Sequence, residues 1–237
     1  MTFTILGRDP ETGNIGIGIA TYSLAVGATC PFMLPDSSVL TSQAAANPNI
    51  GEEIITLVKK GYTPVQAMEQ VVKRDPHPEY RQIALLTSKG GMSIHSGSQT
   101  RPFSGFSKGQ DCIAIGNFLK SEQILVAMTE EFNGLHDGAS LSDRLIAALY
   151  AGKNSGGQQG SDGKHLDERS ACLMVHTPGE QFPVNTRVDY SSDAITELKK
   201  TINAYQPMHK FYLARAANPV ELPPQDQWSE DVDMSSS

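Results

Sequence analysis

The sequence contains no run of eighteen apolar residues, so we expect no transmembrane helix. Its first five residues lack the basic and then apolar layout of a secretory signal. Only three of the 237 residues are cysteines, Cys30, Cys112 and Cys172. Their odd number and wide spacing argue against a disulfide framework and against a cysteine zinc site. Together these absences predict a cytoplasmic protein whose thiols are reduced and mostly buried.

Basic residues are fewer than acidic ones, so the formal net charge is −7. Such a surface repels nucleic-acid phosphates and anionic lipid, so we expect neither nucleic acid nor a membrane as a partner. Residues 218–237 contain five acidic residues and no Lys or Arg. We therefore predict one domain over residues 1–214, followed by an acidic, proline-rich tail over 215–237. Trp228 in this tail could anchor on a second copy and so form a homo-oligomer; the alternative is a free, disordered end.

Several motifs that carry chemistry in other enzymes are missing. There is no Gly-x-Ser-x-Gly nucleophile elbow and no Walker-type phosphate loop. The spaced glycines of residues 13–18 are not followed by a helix start, so a dinucleotide site is not predicted. One cluster could hold a divalent ion, but its members lie in a glycine-rich polar loop with no recognisable ligand spacing: Asp162, His165, Asp167 and Glu168. We predict no metal site there.

The sequence does contain clear β patterns. In residues 14–22, three isoleucines alternate with Gly16 and Gly18, which predicts a strand with something packed closely against its glycine face. Residues 3–7 form an apolar strand that is joined to it by a turn over residues 9–13, so the two predict a hairpin. Further strands are predicted over residues 37–43, 82–88, 92–95, 111–116 and 171–176.

Helices are predicted in pairs between these strands. Thr63 and Gln66 form a capping box with Pro64 at the first helical position, and Ser140 begins a second capped helix. The predicted helices cover residues 51–60, the segment after Thr63, and residues 122–132, 140–150 and 192–205. Paired helices between strands indicate an α+β protein with mostly antiparallel sheets, instead of the alternating order of a parallel sheet.

The motifs along the chain resemble the family known as domain of unknown function 1028. The resemblance covers about residues 2–205 and rests on the order and spacing of Thr2-Phe-Thr-Ile-Leu-Gly-Arg-Asp-Pro-Glu-Thr-Gly13, Ala25-Val-Gly-Ala28, Ser42-Gln-Ala-Ala-Ala-Asn-Pro48, Arg81-Gln82, Gly116-Asn117, Arg144-Leu145 and Gly156-Gly157. It implies a four-layer αββα sandwich of the N-terminal-nucleophile (Ntn) hydrolase type, with mostly antiparallel sheets and paired outer helices. Because fold does not determine function, the chemistry needs a separate argument.

Ntn chemistry needs a Ser, Thr or Cys at a free N-terminus, where the α-amine of the same residue accepts its proton. An α-amine titrates near ~7.7–8.0 and can therefore act as a base at neutral pH. Thr2 follows Met1, is small enough for the initiator methionine to be removed, and opens the first predicted strand. We predict Thr2 as the nucleophile; the alternative is that threonine merely suits a strand.

Three further residues are catalytic candidates because of the positions that the resemblance gives them. Thr21 ends the second strand beside the nucleophile, Asn117 could donate to an oxyanion, and Ser170 opens a late strand where such folds place a helper hydroxyl. Each could instead make an ordinary turn or backbone hydrogen bond. The lysine that tunes the nucleophile in proteasome-like relatives is absent, since Ser42 and Gln43 occupy that strand end.

Four residues are candidates for substrate binding. Gln43 and Asn47 follow the third strand, and His95 lies at a strand end, where it could bind substrate or point to solvent. Arg81 could bind a carboxylate in bidentate fashion or pair with a neighbouring acid, and the sequence does not separate these alternatives.

Two functions remain open from the sequence. The first is hydrolysis of an amide bond in a small-molecule substrate, which needs no cofactor. The second is a catalytically inactive ligand-binding or assembly protein with the same fold, which the missing lysine favours. Amide transfer is a third alternative, but it requires a second substrate that no sequence feature identifies.

Overall fold

The computed structural model describes residues 1–135 and 138–228 of the chain. Its strands are β1 (Thr2–Arg8), β2 (Ile15–Thr21), β3 (Pro31–Leu34), β4 (Ser38–Ala44), β5 (Arg81–Thr87), β6 (Met92–Ser96), β7 (Gly105–Lys108), β8 (Cys112–Asn117), β9 (Gln158–Gln159), β10 (His165–Leu166), β11 (Ser170–His176) and β12 (Val184–Val188). Its α-helices are α1 (Pro48–Lys59), α2 (Pro64–Val72), α3 (Gln123–Gly134), α4 (Leu141–Asn154) and α5 (Ala194–Ala217).

The strands form two large antiparallel sheets and one small strand pair. The six-stranded sheet has the order β12-β11-β2-β1-β8-β7, and the four-stranded sheet has the order β3-β4-β5-β6. Strands β9 and β10 pair with each other. Strand β1 lies inside the larger sheet, between β2 and β8, so both of its edges are hydrogen-bonded.

The side chains of the strands divide between two buried layers. Leu6 of β1 faces the other sheet in a core that includes Ala84 of β5, whereas Phe3 and Ile5 face the helices. Helices α3, α4 and α5 cover the larger sheet, and α1 and α2 cover the smaller one. The layers are therefore helices, sheet, sheet and helices, which confirms the predicted Ntn-hydrolase-like αββα sandwich with paired outer helices.

The predicted close approach to the glycine face of the hairpin is also present. A Cβ atom placed on Gly7 would lie 2.4 Å from the ring of Phe132 on α3, and one on Gly16 would lie 2.8 Å from Leu145 on α4. Only glycine lets these helix side chains pack directly onto the sheet. The three cysteines are free and buried, as predicted.

Some elements differ from the sequence prediction. Helix α5 continues past residue 205 to Ala217 with Pro207 inside it, because Phe211 on its far half is buried. Strands β3, β7, β9, β10 and β12 were not predicted. Trp228 stacks on Phe211 of its own chain, with 5.3 Å between ring centroids, so the structure gives it an intramolecular partner. The last residues of the predicted tail, 229–237, lie outside the described residues.

None of the helices in the described ranges has the length and apolar character that a membrane span requires.

Candidate active site

The four predicted catalytic residues lie in one row at the same end of the larger sheet. Thr2 of β1 is paired in register with Thr21 of β2 on one side and with Asn117 of β8 on the other. Thr21 is in turn paired with Ser170 of β11. All four residues are buried, and Thr2 is only 5% exposed. The antiparallel register of four adjacent strands thus brings together residues that are up to 168 positions apart in the sequence.

The hydroxyl groups of Thr2 and Thr21 contact each other across this row. Their Oγ1 atoms are 3.1 Å apart. The Thr21 hydroxyl also contacts the carbonyl oxygen of Met1 and accepts a hydrogen bond of 3.2 Å from the backbone N–H of Ser23. Thr21 therefore fixes the start of β1 and supplies a polar neighbour to the hydroxyl of Thr2.

Asn117, on the other side of Thr2, belongs to a buried amide network centred on Gln82. The Nδ2 atom of Asn117 donates to Oε1 of Gln82 at 2.9 Å. Gln82 donates in turn to the carbonyl of Gly116 at 2.8 Å and to the hydroxyl of Ser96 at 3.0 Å. Because Gln82 is on β5 and Asn117 on β8, this network joins the two sheets and fixes the orientation of the Asn117 amide.

Gln43 extends the same network along the sheet interface. Its Nε2 atom donates to Oε1 of Gln82 at 3.2 Å, and its Oε1 atom accepts hydrogen bonds from Thr4 at 2.6 Å and Thr41 at 3.0 Å. Gln43 thus contacts Thr4, which lies two residues after Thr2 on β1 and faces the same side of the strand. A polar layer lies at this end of an otherwise apolar sheet interface.

A cleft of about 300 Å³ opens at this end of the sheets. Met1, Tyr80, Arg101 and Asn117 contribute to its walls. The Oδ1 atom of Asn117 is buried and has no hydrogen-bond partner within the described part of the chain. The cleft therefore lies beside the start of β1, and Asn117, which lines it, also has a buried polar atom that lacks a partner among the described residues.

The N-terminal amine lies in the same buried environment. Burial lowers the pKa of the Met1 amine to about 6, and the nearby Cys30 opposes the shift. Thr2 is buried one residue further along the chain. The Met1 amine is therefore mostly neutral at pH 7 and can accept a proton.

Ser170 uses its hydroxyl differently from the predicted helper role. Its Oγ atom donates to the carbonyl of Ser23 at 2.8 Å and accepts from the backbone N–H of Val26 at 3.1 Å. Ser170 thus holds the segment after β2 in place, which corresponds to the backbone-bonding alternative. A catalytic contribution from Ser170 stays a prediction.

Three of the predicted substrate-binding residues are engaged by the protein itself. Asn47 caps α1 by accepting from the N–H of Asn49 at 3.1 Å. Arg81 forms an ion pair of 2.8 Å with Asp75, which is the neighbouring-acid alternative.

His95 lies on β6 and bonds the carbonyl of Pro78 through Nε2 at 2.7 Å, so it does not simply point to solvent. Gln43 is the fourth predicted residue and belongs to the amide network beside the site. Substrate binding by these four residues stays a prediction.

The glycine-rich loop before β11 supports the site from the other side. Gln158 accepts from the N–H of Tyr22 at 3.1 Å through Oε1, and its Nε2 atom donates to Glu168 at 3.3 Å. Glu168 is buried, and this burial raises the pKa of its carboxyl. The side chains of Asp162, His165 and Asp167 are exposed, and among residues 1–135 and 138–228 no three metal-ligating side chains converge.

The sequence did not identify Gln82 as a site residue, and it did not identify Gln158 as the residue that joins Tyr22 to Glu168. Gln82 had a detectable signal, because it occupies an inward position of β5 in alternation with Ala84 and Leu86. A glutamine on a face that is otherwise apolar requires a buried hydrogen-bond partner. Gln158 gave no such signal, because its strand β9 has only two residues and shows no alternation of apolar and polar side chains.

Comparisons with known proteins decide the family. The family model DUF1028, described as a family of unknown function, matches residues 2–198. The chain belongs to the DUF1028 family. A DUF1028 protein from Silicibacter pomeroyi has a similar crystal structure, with 32% sequence identity, a TM-score of 0.78 and coverage of 86% of each chain.

Two further solved structures that match the chain are much less similar. Anbu (ancestral beta-subunit) from Yersinia bercovieri has 10% identity and a TM-score of 0.40, with coverage of 93% of this chain and 98% of that chain. A Gly-1 mutant of Anbu from Hyphomicrobium sp. strain MC1 has 9% identity and a TM-score of 0.43, with coverage of 92% and 100%. Similarity at this level does not bear on the function of the DUF1028 chain. No curated protein matches it.

Proposed function

We propose that this DUF1028 protein is an Ntn hydrolase that cleaves an amide bond in a small molecule, with Thr2 as its nucleophile after removal of Met1. The observation that carries the proposal is the contact between Thr2 and Thr21. The hydroxyl at the start of the central strand lies 3.1 Å from a second hydroxyl, and a cleft lined by Met1 and Asn117 opens beside this strand end. A structural threonine at a strand end does not require either feature.

The proposed reaction has two halves. The Oγ1 atom of Thr2 attacks the amide carbonyl and the Thr2 α-amine accepts the hydroxyl proton. Collapse of the tetrahedral intermediate breaks the C–N bond, and the amine proton passes to the departing nitrogen, which leaves an ester on Thr2. Water then attacks this ester, its proton returns through the α-amine to Oγ1, and the carboxylic acid leaves.

The surrounding residues have separate roles in this scheme. Thr21 orients the Thr2 hydroxyl through their direct contact. One N–H of the Asn117 amide is bound to Gln82, which leaves the second N–H to stabilise the oxyanion. The buried position of the chain start keeps the amine neutral at pH 7, in agreement with the lowered pKa of the Met1 amine.

The size of the cleft favours a small substrate over a folded protein. Its volume of about 300 Å³ lies at the lower end of the range for small-molecule sites. Two neighbouring recesses of about 330 and 380 Å³ share Arg101 with it, so one cationic side chain borders the whole region. The proposed chemistry uses only protein groups and no cofactor, and we expect it to operate in the cytoplasm.

One observation favours the second candidate function, an inactive ligand-binding or assembly protein. The carbonyl of Met1 contacts the Thr21 hydroxyl, so a retained Met1 has a defined position. Retention would leave Thr2 without a free amine and would abolish the proposed base.

Covalent labelling separates the two functions. The untagged protein is treated with a β-lactone probe, and the adduct is located by peptide mass spectrometry. The hydrolase proposal requires one adduct on Thr2 that is lost in Thr2→Ala and retained in Thr2→Ser. An unlabelled Thr2 in a protein that has lost Met1 and is folded by circular dichroism would favour the inactive protein.

A further inference from the structure

A second cavity lies at the opposite end of the larger sheet from Thr2. Its volume is about 650 Å³, and it is lined by residues from the β1–β2 turn, from the turn before β8, and from α3 and α4. The seven residues of β1 separate the two ends by about 20 Å. This turn-end cavity is therefore distinct from the candidate active site.

Arg144 gives the turn-end cavity a fixed cationic group. The residue is 4% exposed. Its Nε atom donates to the carbonyl of Phe132 at 3.1 Å, and its guanidinium carbon lies 4.1 Å from the centroid of the Phe132 ring. These two contacts hold the guanidinium plane in one orientation.

One end of that guanidinium is left without a partner. The Nη2 atom of Arg144 is buried and makes no hydrogen bond to any residue in the described ranges. Arg144 is among the residues that line the cavity. Leaving a buried charged donor unpaired is costly, and such a group in a concave site points to a ligand that completes its bonding.

The neighbouring acids are held by other groups. Asp111 forms an ion pair of 2.6 Å with Arg8. The Asp9 carboxylate accepts hydrogen bonds from the N–H of Glu11 at 3.0 Å and from the Thr12 hydroxyl at 2.8 Å. Both acids attract the charge of Arg144, but neither accepts a hydrogen bond from its Nη2 atom.

The charges of the lining residues select the class of ligand. Among the described residues that line the cavity, Arg144 is the one cation, and Asp9, Glu11 and Asp111 contribute three carboxylates. A purely anionic ligand would bond to Arg144 but would be repelled by the acids, and a purely cationic ligand would be repelled by Arg144. A small ligand that carries both charges satisfies both sides.

We propose that the turn-end cavity binds a small α-amino acid or dipeptide. The ligand carboxylate accepts from the free Nη2 of Arg144, and its ammonium group faces the carboxylates of Asp9 and Glu11. The side-chain amides of Gln110 and Asn133 line the same space and can bond to a peptide group. The volume accommodates a dipeptide.

Isothermal titration calorimetry with alanyl-alanine tests this assignment. The Thr2→Ala protein is used, so that any hydrolase activity cannot consume the ligand. Saturable binding is expected for alanyl-alanine. N-acetyl-alanyl-alanine, which lacks the ammonium group, and alanyl-alanine amide, which lacks the carboxylate, should each bind at least about tenfold more weakly.

Two variants locate the binding at the cavity. Asp9→Asn keeps an acceptor for the turn but removes the charge, and should weaken alanyl-alanine at least about tenfold. Arg144→Gln should do the same, and Asn133→Leu, which replaces a lining amide with a bulkier apolar side chain, provides a second route if Arg144→Gln fails to fold. The proposal is overturned if alanyl-alanine shows no saturable binding at millimolar concentration. It is equally overturned if the capped dipeptides bind as well as alanyl-alanine, or if Asp9→Asn and Asn133→Leu leave the affinity unchanged.

Discussion

The side chains of Thr2 and Thr21 face each other across two antiparallel strands, with 3.1 Å between their hydroxyl oxygens. The strand register sets this distance, because the two residues are direct partners in the β1–β2 ladder. Strand β1 is paired on both edges, so its first residue is held more firmly than a free chain terminus. A nucleophile at this position would be oriented before substrate binds.

Removal of the Thr21 hydroxyl should slow the reaction at Thr2 without unfolding the protein. In Thr21→Val, the labelling rate of Thr2 by a β-lactone should fall about tenfold to a hundredfold, because a hydrogen bond worth ~1–3 kcal/mol is lost. The rate is followed by intact-protein mass spectrometry. Thr21→Ser keeps the hydroxyl and should restore most of the rate. An unchanged rate in Thr21→Val would show that Thr21 has no part in orienting Thr2.

Gln82 should contribute strongly to stability because it bonds to both sheets. In Gln82→Leu, the Asn117 amide and the Gly116 carbonyl lose buried partners. We expect the free energy of unfolding in urea to fall by about 2–4 kcal/mol. The control is Gln70→Ala on the exposed face of α2, which should change the free energy of unfolding by less than about 0.5 kcal/mol. Equal values for the two variants would contradict the network.

Gly7→Ala should be destabilising because its new methyl group would overlap the Phe132 ring. Overpacking of this kind costs about 1–3 kcal/mol, measured by urea unfolding. Gly134, at the end of α3, has no atom within 4 Å of an added Cβ, so Gly134→Ala should instead raise stability by about 0.5–1 kcal/mol. Stabilisation by Gly7→Ala would refute the close contact between α3 and the sheet.

Glu168 should make stability depend on pH. Burial raises the pKa of its carboxyl above the ordinary value of 4.5, so the folded protein holds this proton more tightly than the unfolded chain. The contribution of protonated Glu168 to the free energy of unfolding is fully present below pH 4.5 and is lost as pH rises through the folded-state pKa. Glu168→Gln cannot ionise, and its oxygen can still accept from Gln158.

The stability gain of Glu168→Gln over the wild type should therefore be larger at pH 7 than at pH 4. Urea unfolding at the two pH values measures it. A gain that is the same at both values would show that Glu168 has no raised pKa.

Much of the fold was predictable from local patterns. The β1–β2 hairpin follows from the alternation of isoleucine and glycine, and the starts of α2 and α4 follow from capping boxes that the structure contains at Thr63 and Ser140. The far half of α5 was not predictable in this way. Pro207 is a residue that usually ends a helix, yet the burial of Phe211 further along favours continuation.

The site was predictable only where it depends on strand ends. Thr2, Thr21 and Asn117 were selected because the family resemblance places them at the ends of strands, and the register brings them together. The bonds from Gln82 to Asn117 and Gln43 depend on how two separate sheets are stacked. No spacing within the sequence indicates these hydrogen bonds, because the packing of the two sheets against each other determines them.

The mass of the intact, untagged protein shows whether Thr2 can act as the nucleophile. We expect a mass that is lower than that of the full sequence by one methionine residue, which leaves Thr2 with the free α-amine that the reaction needs. A mass that includes Met1 in the whole population would rule out the proposed mechanism, because Thr2 would then have no base of its own.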